Sequence, residues 1–99
     1  MINLCICIMY MYHVYILKSF KHNRLYVGYT TNVKRRLQEH NSNNFPKTFT
    51  YRGRPWVLVY CESFLDETDA RKREKSLKNY GNVFGLLKKR IIRSLESDG

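Results

Sequence analysis

The run Tyr12-His-Val-Tyr-Ile-Leu-Lys18 and, after a short polar stretch, Leu25-Tyr-Val-Gly-Tyr-Thr30 decide how this chain folds. In the first run Tyr12, Val14 and Ile16 alternate with His13, Tyr15 and Leu17, and both runs are rich in β-branched and aromatic residues, the pattern of strands. Phe20-Lys-His-Asn-Arg24 lies between them, about five residues, which makes a hairpin. Gly28 inside the second run marks either a bulge or a close approach to the backbone.

Downstream, Thr31-Asn32 supplies an N-cap for a helix over Val33 to His40, with Val33 and Leu37 on one face. Asn41-Ser-Asn-Asn-Phe-Pro46 stops it, and a basic loop runs on to Pro55. Trp56-Val-Leu-Val-Tyr-Cys61 reads as a third strand, apolar at nearly every position and therefore expected at the centre of the sheet. Asp66 and Asp69 resemble a capping box ahead of a second helix, Glu67 to about Lys78, turned inward through Ala70, Glu74 and Leu77. Gly81-Asn82 ends it. A third helix is expected over Val83 to Leu95, with Phe84, Leu87, Ile91 and Leu95 on one stripe and basic residues opposite. The order is ββαβαα, an α+β fold with a small three-stranded mixed sheet and flanking helices.

Upstream, Leu4 to Tyr12 is an apolar run too short for a membrane span, and no basic residue precedes it as a signal peptide requires. Met9 and Met11 suggest an upstream start codon or a strand extension. The expected organisation is an extension over 1–11, one domain over 12–95 and a tail over 96–99.

The composition narrows the partner. In 99 residues, 18 Lys+Arg stand against 8 Asp+Glu, a net charge of +10. A chain this short is expected to be one domain, without a separate cofactor domain. At 43% apolar and 14% aromatic residues it can fill a core and is not a disordered polyelectrolyte. The positive charge implies a polyanion, either nucleic acid or an anionic membrane surface. Cys5, Cys7 and Cys61 form neither a disulfide framework nor a zinc pattern, which fits reduced thiols in a cytoplasmic protein.

Five residues offer chemistry. Tyr15 and Tyr26 lie on adjacent strands; Arg36 and His40 are i,i+4 on the first helix; Glu74 falls mid-way along the second. For phosphodiester hydrolysis a carboxylate can hold a divalent cation, a guanidinium can grip a phosphate bidentately, and His40 or a tyrosine can take the proton of a water. A phenol, with an ordinary pKa of about 10, is a base at neutral pH only where neighbouring positive charge stabilises the phenolate. Each residue also has a plain structural use: tyrosines are ordinary in strands, Lys34-Arg-Arg36 can be a solvated face, His40 can favour a helix C-terminus, and Glu74 can pair with Lys78.

The order and spacing of these residues resemble the GIY-YIG nuclease domain, particularly its small stand-alone members and the N-terminal domain of excision-repair nuclease subunits. Val14-Tyr15 matches the end of the first signature and Tyr26-Val27-Gly28 the second. Arg36 stands eight residues after that glycine, with Arg35 as the one-residue alternative, and His40 one turn later. Glu74 follows Ala70 by four, in Ala70-Arg-x-x-Glu74-Lys-x-x-Lys78. The resemblance runs from about Tyr12 to Arg93. His13 replaces the first signature's glycine, Tyr29 replaces the lysine that follows the second in excision-repair members, and neither Asn79 nor Asn82 matches their late asparagine. The resemblance implies DNA cleavage in repair or recombination with one Mg²⁺ or Mn²⁺ on Glu74. It implies Arg36 on the scissile phosphate and Tyr26 or Tyr15 accepting the water's proton, aided by His40, with Tyr26 the preferred base and Tyr15 its hydrogen-bonded partner.

Arg35, Lys47, Arg52, Arg54 and Lys78 are the expected grip on the nucleic-acid backbone, together with Lys88, Lys89, Arg90 and Arg93 of the last helix. The main rival is a non-catalytic binding module that stacks unpaired bases on Phe49 and Tyr51. A membrane-surface helix is a second rival, set against the expected core role of the third helix. No separate specificity domain is expected in a chain of this length, so targeting is expected to rest on nucleic-acid shape or on a protein partner.

Overall fold

The computed structural model describes residues 10–42 and 50–96. Three strands, β1 (Tyr12–Ser19), β2 (Leu25–Thr30) and β3 (Trp56–Phe64), form one sheet in the order β2-β1-β3. Helix α1 (Val33–Asn41) follows β2, while α2 (Glu67–Asn79), α3 (Gly81–Arg90) and the short α4 (Ile92–Glu96) follow β3. The α+β architecture and element order are those expected from the sequence. The expected extension over 1–11 lies almost wholly outside the described residues.

Both strand pairs are antiparallel, so the sheet is not mixed. The centre belongs to β1 rather than β3. The apolar run of β3 had suggested two covered faces, but Leu58 is 41% exposed and Cys61 is also exposed. Four consecutive residues of β1, from Val14 to Leu17, are at most 1% exposed. Each such aliphatic side chain contributes roughly 1.5–3 kcal/mol on burial, so β1 anchors the domain. A register shift between Ile16 and Leu17 marks a bulge in the β1–β3 pair. The β1–β2 pair runs in unbroken register.

Strand alternation sends β1 side chains to two separate clusters. Val14 and Ile16 join Val27, Ala70, Leu77 and Leu87 on the face covered by α2 and α3. Tyr15 and Leu17 join Trp56 on the other face, where Tyr26, Val33 and Leu37 pack against them. Both helix starts follow the capping chemistry of the sequence. Asn32 accepts from the Arg35 N–H at 3.0 Å, and Asp66 accepts from the Thr68 and Asp69 N–H groups at 2.8 and 3.3 Å. The expected third helix is divided: Ile91 leaves helical geometry (φ −113°, ψ 26°), so α3 ends at Arg90 and a separate turn, α4, carries Leu95. Leu95 nevertheless reaches the sheet, where its carbonyl accepts from Lys18 Nζ.

Candidate active site

The site grows from the β1–β2 register. Tyr15 is paired with Gly28, and Leu17 with Tyr26, so Tyr15 and Tyr26 share one face. Their ring centroids are 6.3 Å apart. A Cβ built on Gly28 would lie 2.4 Å from both Cζ and Oη of Tyr15. The glycine is therefore a close approach, one of the two readings the sequence allowed: the Tyr15 ring lies across it.

Helix α1 crosses this face. Its last turn brings His40 down onto the two tyrosines, with Nε2 2.9 Å from Tyr15 Oη and the ring edge-on to Tyr26 at 4.8 Å. His40 Nδ1 lies 2.7 Å from Thr50 Oγ1, so both ring nitrogens are engaged. Burial, reinforced by the Arg36 charge, lowers the His40 pKa to about 4, and the ring is neutral at physiological pH. A neutral imidazole has one donor and one acceptor. Tyr15 is 1% exposed, and its proton needs an acceptor inside the protein. The assignment that meets this has Tyr15 O–H donating to Nε2 and Nδ1–H donating to Thr50.

Burial also pushes the Tyr15 phenol up to about 12, against the lowering effect of a hydrogen bond and charge from Arg36. Tyr15 is thus a protonated, fully enclosed strut. Tyr26 is only half-buried and lies among positive charge, with Lys78 Nζ 5.8 Å from its ring centroid. Arg36, one turn before His40, is held by Glu39 at 2.8 Å and keeps 38% of its side chain exposed. Glu74 enters from α2. It acts on Tyr15 electrostatically, its side chain is 23% exposed, and Oε2 pairs with Lys78 Nζ at 3.0 Å.

Tyr15, Tyr26, Arg36 and His40 therefore gather on one sheet face, while Glu74 approaches from α2, the helix that covers the other face, and reaches Tyr15 electrostatically. The expected backbone-grip residues are more scattered. Lys78 sits in the site itself. Arg35 is exposed, with Glu39 4.0 Å away. Arg52 is exposed, whereas Arg54 stacks on Tyr51 at 3.9 Å and donates from Nε to the Tyr51 carbonyl at 2.7 Å. Lys47 and Phe49 lie outside the described residues. Helix α3, with Lys88, Lys89 and Arg90, packs on the opposite sheet face.

Sequence reasoning missed Thr50 and Trp56. Thr50 is 2% exposed and holds His40; its carbonyl accepts from Trp56 Nε1 at 2.7 Å, and the Trp56 ring meets Tyr26 edge-on at 6.3 Å. Asn41 fixes the far end of α1 to the same tryptophan: its Oδ1 accepts from Trp56 N at 2.7 Å and its Nδ2 donates to Trp56 O at 2.9 Å. No residue-type pattern announces a threonine in a polar loop; a run of Thr-Tyr-x-Gly-x-Pro-Trp entering a strand was the one local cue.

Comparison with known proteins agrees with this geometry. Residues 11–85 match the family model described as the GIY-YIG catalytic domain. A UPF0213 protein of Staphylococcus haemolyticus is 45% identical over 69 residues, covering 70% of this chain and 82% of the relative. A UPF0213 protein of Halobacterium salinarum is 38% identical over 68 residues, covering 69% and 86%. The structure-specific endonuclease subunit SLX1 homolog of Leishmania infantum is 42% identical over 67 residues, which is 62% of this chain but 10% of that larger protein. With more than half its length matched to one catalytic-domain model, the chain belongs to the GIY-YIG catalytic domain family.

Proposed function

We propose that this protein is a metal-dependent endonuclease that hydrolyses DNA phosphodiester bonds. In this reading it acts in repair or recombination and is directed by nucleic-acid structure or by a protein partner. The observation that carries the proposal is that Tyr26, Arg36 and Glu74 all lie close enough to act on Tyr15, the buried end of the Tyr15–His40–Thr50 chain. The name of the Leishmania relative, a structure-specific endonuclease subunit, supports structure-directed cleavage. The reduced-thiol composition supports a cytoplasmic setting.

The donor set fits a hard divalent cation. Glu74 offers one accessible carboxylate, and no group of three or more His, Cys, Asp or Glu side chains gathers among the described residues. Glu74 would hold such an ion, and Mg²⁺ tolerates so few protein donors. When bound, Mg²⁺ or Mn²⁺ supplies Lewis-acid stabilisation of the phosphoryl and leaving oxygens. Arg36 donates to the non-bridging oxygens of the scissile phosphate and offsets their charge in the transition state. Tyr26, with Lys78 Nζ 5.8 Å from its ring centroid, takes the proton of the attacking water. Tyr15 and His40 hold that geometry rather than exchanging protons with water, because both are buried and hydrogen-bonded to each other.

The test is incubation of the purified chain with duplex, single-stranded, flapped and branched DNA, with and without Mg²⁺. Nicking of at least one substrate that requires the metal is expected. Salt-dependent binding to all of them without any metal-dependent nicking overturns the proposal in favour of a non-catalytic binding module.

A further inference from the structure

At the hairpin end of the sheet, beside the site but not part of it, a cavity of about 360 Å³ is lined by His22, Arg24, Arg52, Gly53 and Trp56. Its described lining carries two arginines and a histidine and no carboxylate. Neither Arg24 nor Arg52 has an acidic partner among the described residues, although Arg35, Arg36, Arg71 and Arg73 all do. Two exposed arginines left unpaired around one hollow repel each other unless an anion lies between them.

The walls of this hollow are fixed by one residue. Ser19, wholly buried, accepts from the His22 N–H at 3.1 Å and donates to the Gly53 carbonyl at 2.5 Å. It thus ties the β1–β2 turn, which carries His22 and Arg24, to the 3-10 turn Tyr51–Gly53, which carries Arg52. Asn23 takes a left-handed conformation (φ 52°) that closes the turn just before Arg24, and the Ser19 N–H donates to the Arg24 carbonyl at 2.8 Å. Trp56 forms the wall shared with the catalytic cluster, since its ring also meets Tyr26. Gly53 leaves room for it: a Cβ there would lie 2.5 Å from Trp56 Cζ2.

We infer that this cavity is a phosphate subsite, in which Arg24, Arg52 and His22 hold a second phosphate of the strand whose scissile phosphate lies at Arg36. The inference rests on the nucleic-acid reading of the active site and deepens it. The Trp56 indole lies between the cavity and Tyr26, so a strand gripped in the cavity has its register over Tyr26 fixed. The group held is either a backbone phosphodiester or a terminal phosphomonoester; both present the same oxygens to the arginines.

The experiment measures equilibrium binding of the full chain in EDTA, so that cleavage plays no part. The probe is a short DNA duplex with a single-stranded 5′ tail, made with and without a 5′-phosphate. The double variant R24A/R52A is compared with K72A/K75A, which removes the same charge from the exposed surface of α2. R24A/R52A is expected to weaken binding about 10-fold near 0.1 M salt and to flatten the log K against log salt slope by about one. K72A/K75A should change affinity less than about 2-fold, and R24K/R52K should restore most of the slope. An equal loss on both probes assigns the cavity to a backbone phosphate, and a loss confined to the phosphorylated probe assigns it to a terminal one. Equal weakening by the two alanine pairs, or an unchanged slope in R24A/R52A, overturns the subsite. Because no turnover is read, a chain that binds in this way but never cleaves refutes the nuclease and leaves the subsite standing.

Discussion

Tyr15 and Gly28 face each other across the β1–β2 pair, and the tyrosine ring occupies the volume that a side chain on residue 28 would need. The relationship links two signature positions that lie apart in sequence and have no chemistry in common. The glycine contributes nothing to a reaction; it lets a buried phenol lie flat across the neighbouring strand and reach His40.

Gly28→Ala tests this directly. The new methyl carbon would sit 2.4 Å from Tyr15 Cζ, against the most rigid part of a fully buried ring, so the ring must move. Overpacking of this kind costs about 1–3 kcal/mol, and the displaced Oη loses His40. A lower thermal midpoint and a fall in cleavage of at least about 10-fold are expected together. Full stability and activity would mean that the Tyr15 position is irrelevant.

His40 makes stability depend on pH with a definite sign. Its ordinary pKa of 6.5 falls to about 4 in the fold, so between these values the unfolded chain binds a proton that the native chain does not. Stability is complete above pH 6.5 and declines as pH falls towards 4, by on the order of 3 kcal/mol for this one group. Urea unfolding of the wild type and of His40→Gln across that range checks it. The slope should be visibly smaller in the variant; identical slopes contradict a buried neutral imidazole.

Much of this was legible in the sequence, for physical reasons that also explain what was not. The hairpin, both capped helices and the tyrosine pair follow from local signals: alternation, Asn32 and Asp66 as caps, and i,i+4 spacing. The sheet order was not legible, because a half-buried edge strand such as β3 can be as apolar as a central one. Nor was the break at Ile91, which interrupts a continuous apolar stripe. The support beneath the site escaped for a different reason: the Thr50–His40 contact spans ten residues of chain with no fixed motif, and Trp56 looked like an ordinary strand residue.

Tyr26→Phe and Tyr15→Phe separate the two phenols. If Tyr26 is the base, its loss lowers kcat by about 10²–10⁴. Tyr15→Phe removes a hydrogen bond to His40 and lowers the rate through geometry alone, by less than the Tyr26 variant does. A larger loss of kcat in Tyr15→Phe than in Tyr26→Phe would assign the base to Tyr15.

Glu74→Gln removes the one carboxylate proposed for the metal. The pair it forms with Lys78 is partly exposed and contributes at most about 1 kcal/mol to stability, so the fold should persist. Cleavage is expected to drop on the order of 10³-fold, equivalent to several kcal/mol of lost Lewis-acid stabilisation, while DNA affinity in EDTA stays within about 2-fold. Retained cleavage ends the single-carboxylate mechanism.

Arg36→Ala distinguishes grip from catalysis. The chain carries a net charge of +10, and removing one cation changes general affinity for a polyanion only slightly. If Arg36 donates to the scissile phosphate as charge develops, its loss falls on kcat, by about 10²–10³, with binding weakened only a few-fold. Glu39, its ion-pair partner at 2.8 Å, then keeps only Arg35 at 4.0 Å, and this less compensated carboxylate should deepen the loss. The double variant Arg36→Ala with Glu39→Gln therefore recovers part of the affinity but none of the turnover. A parallel loss of affinity and kcat in Arg36→Ala would make it one more backbone contact.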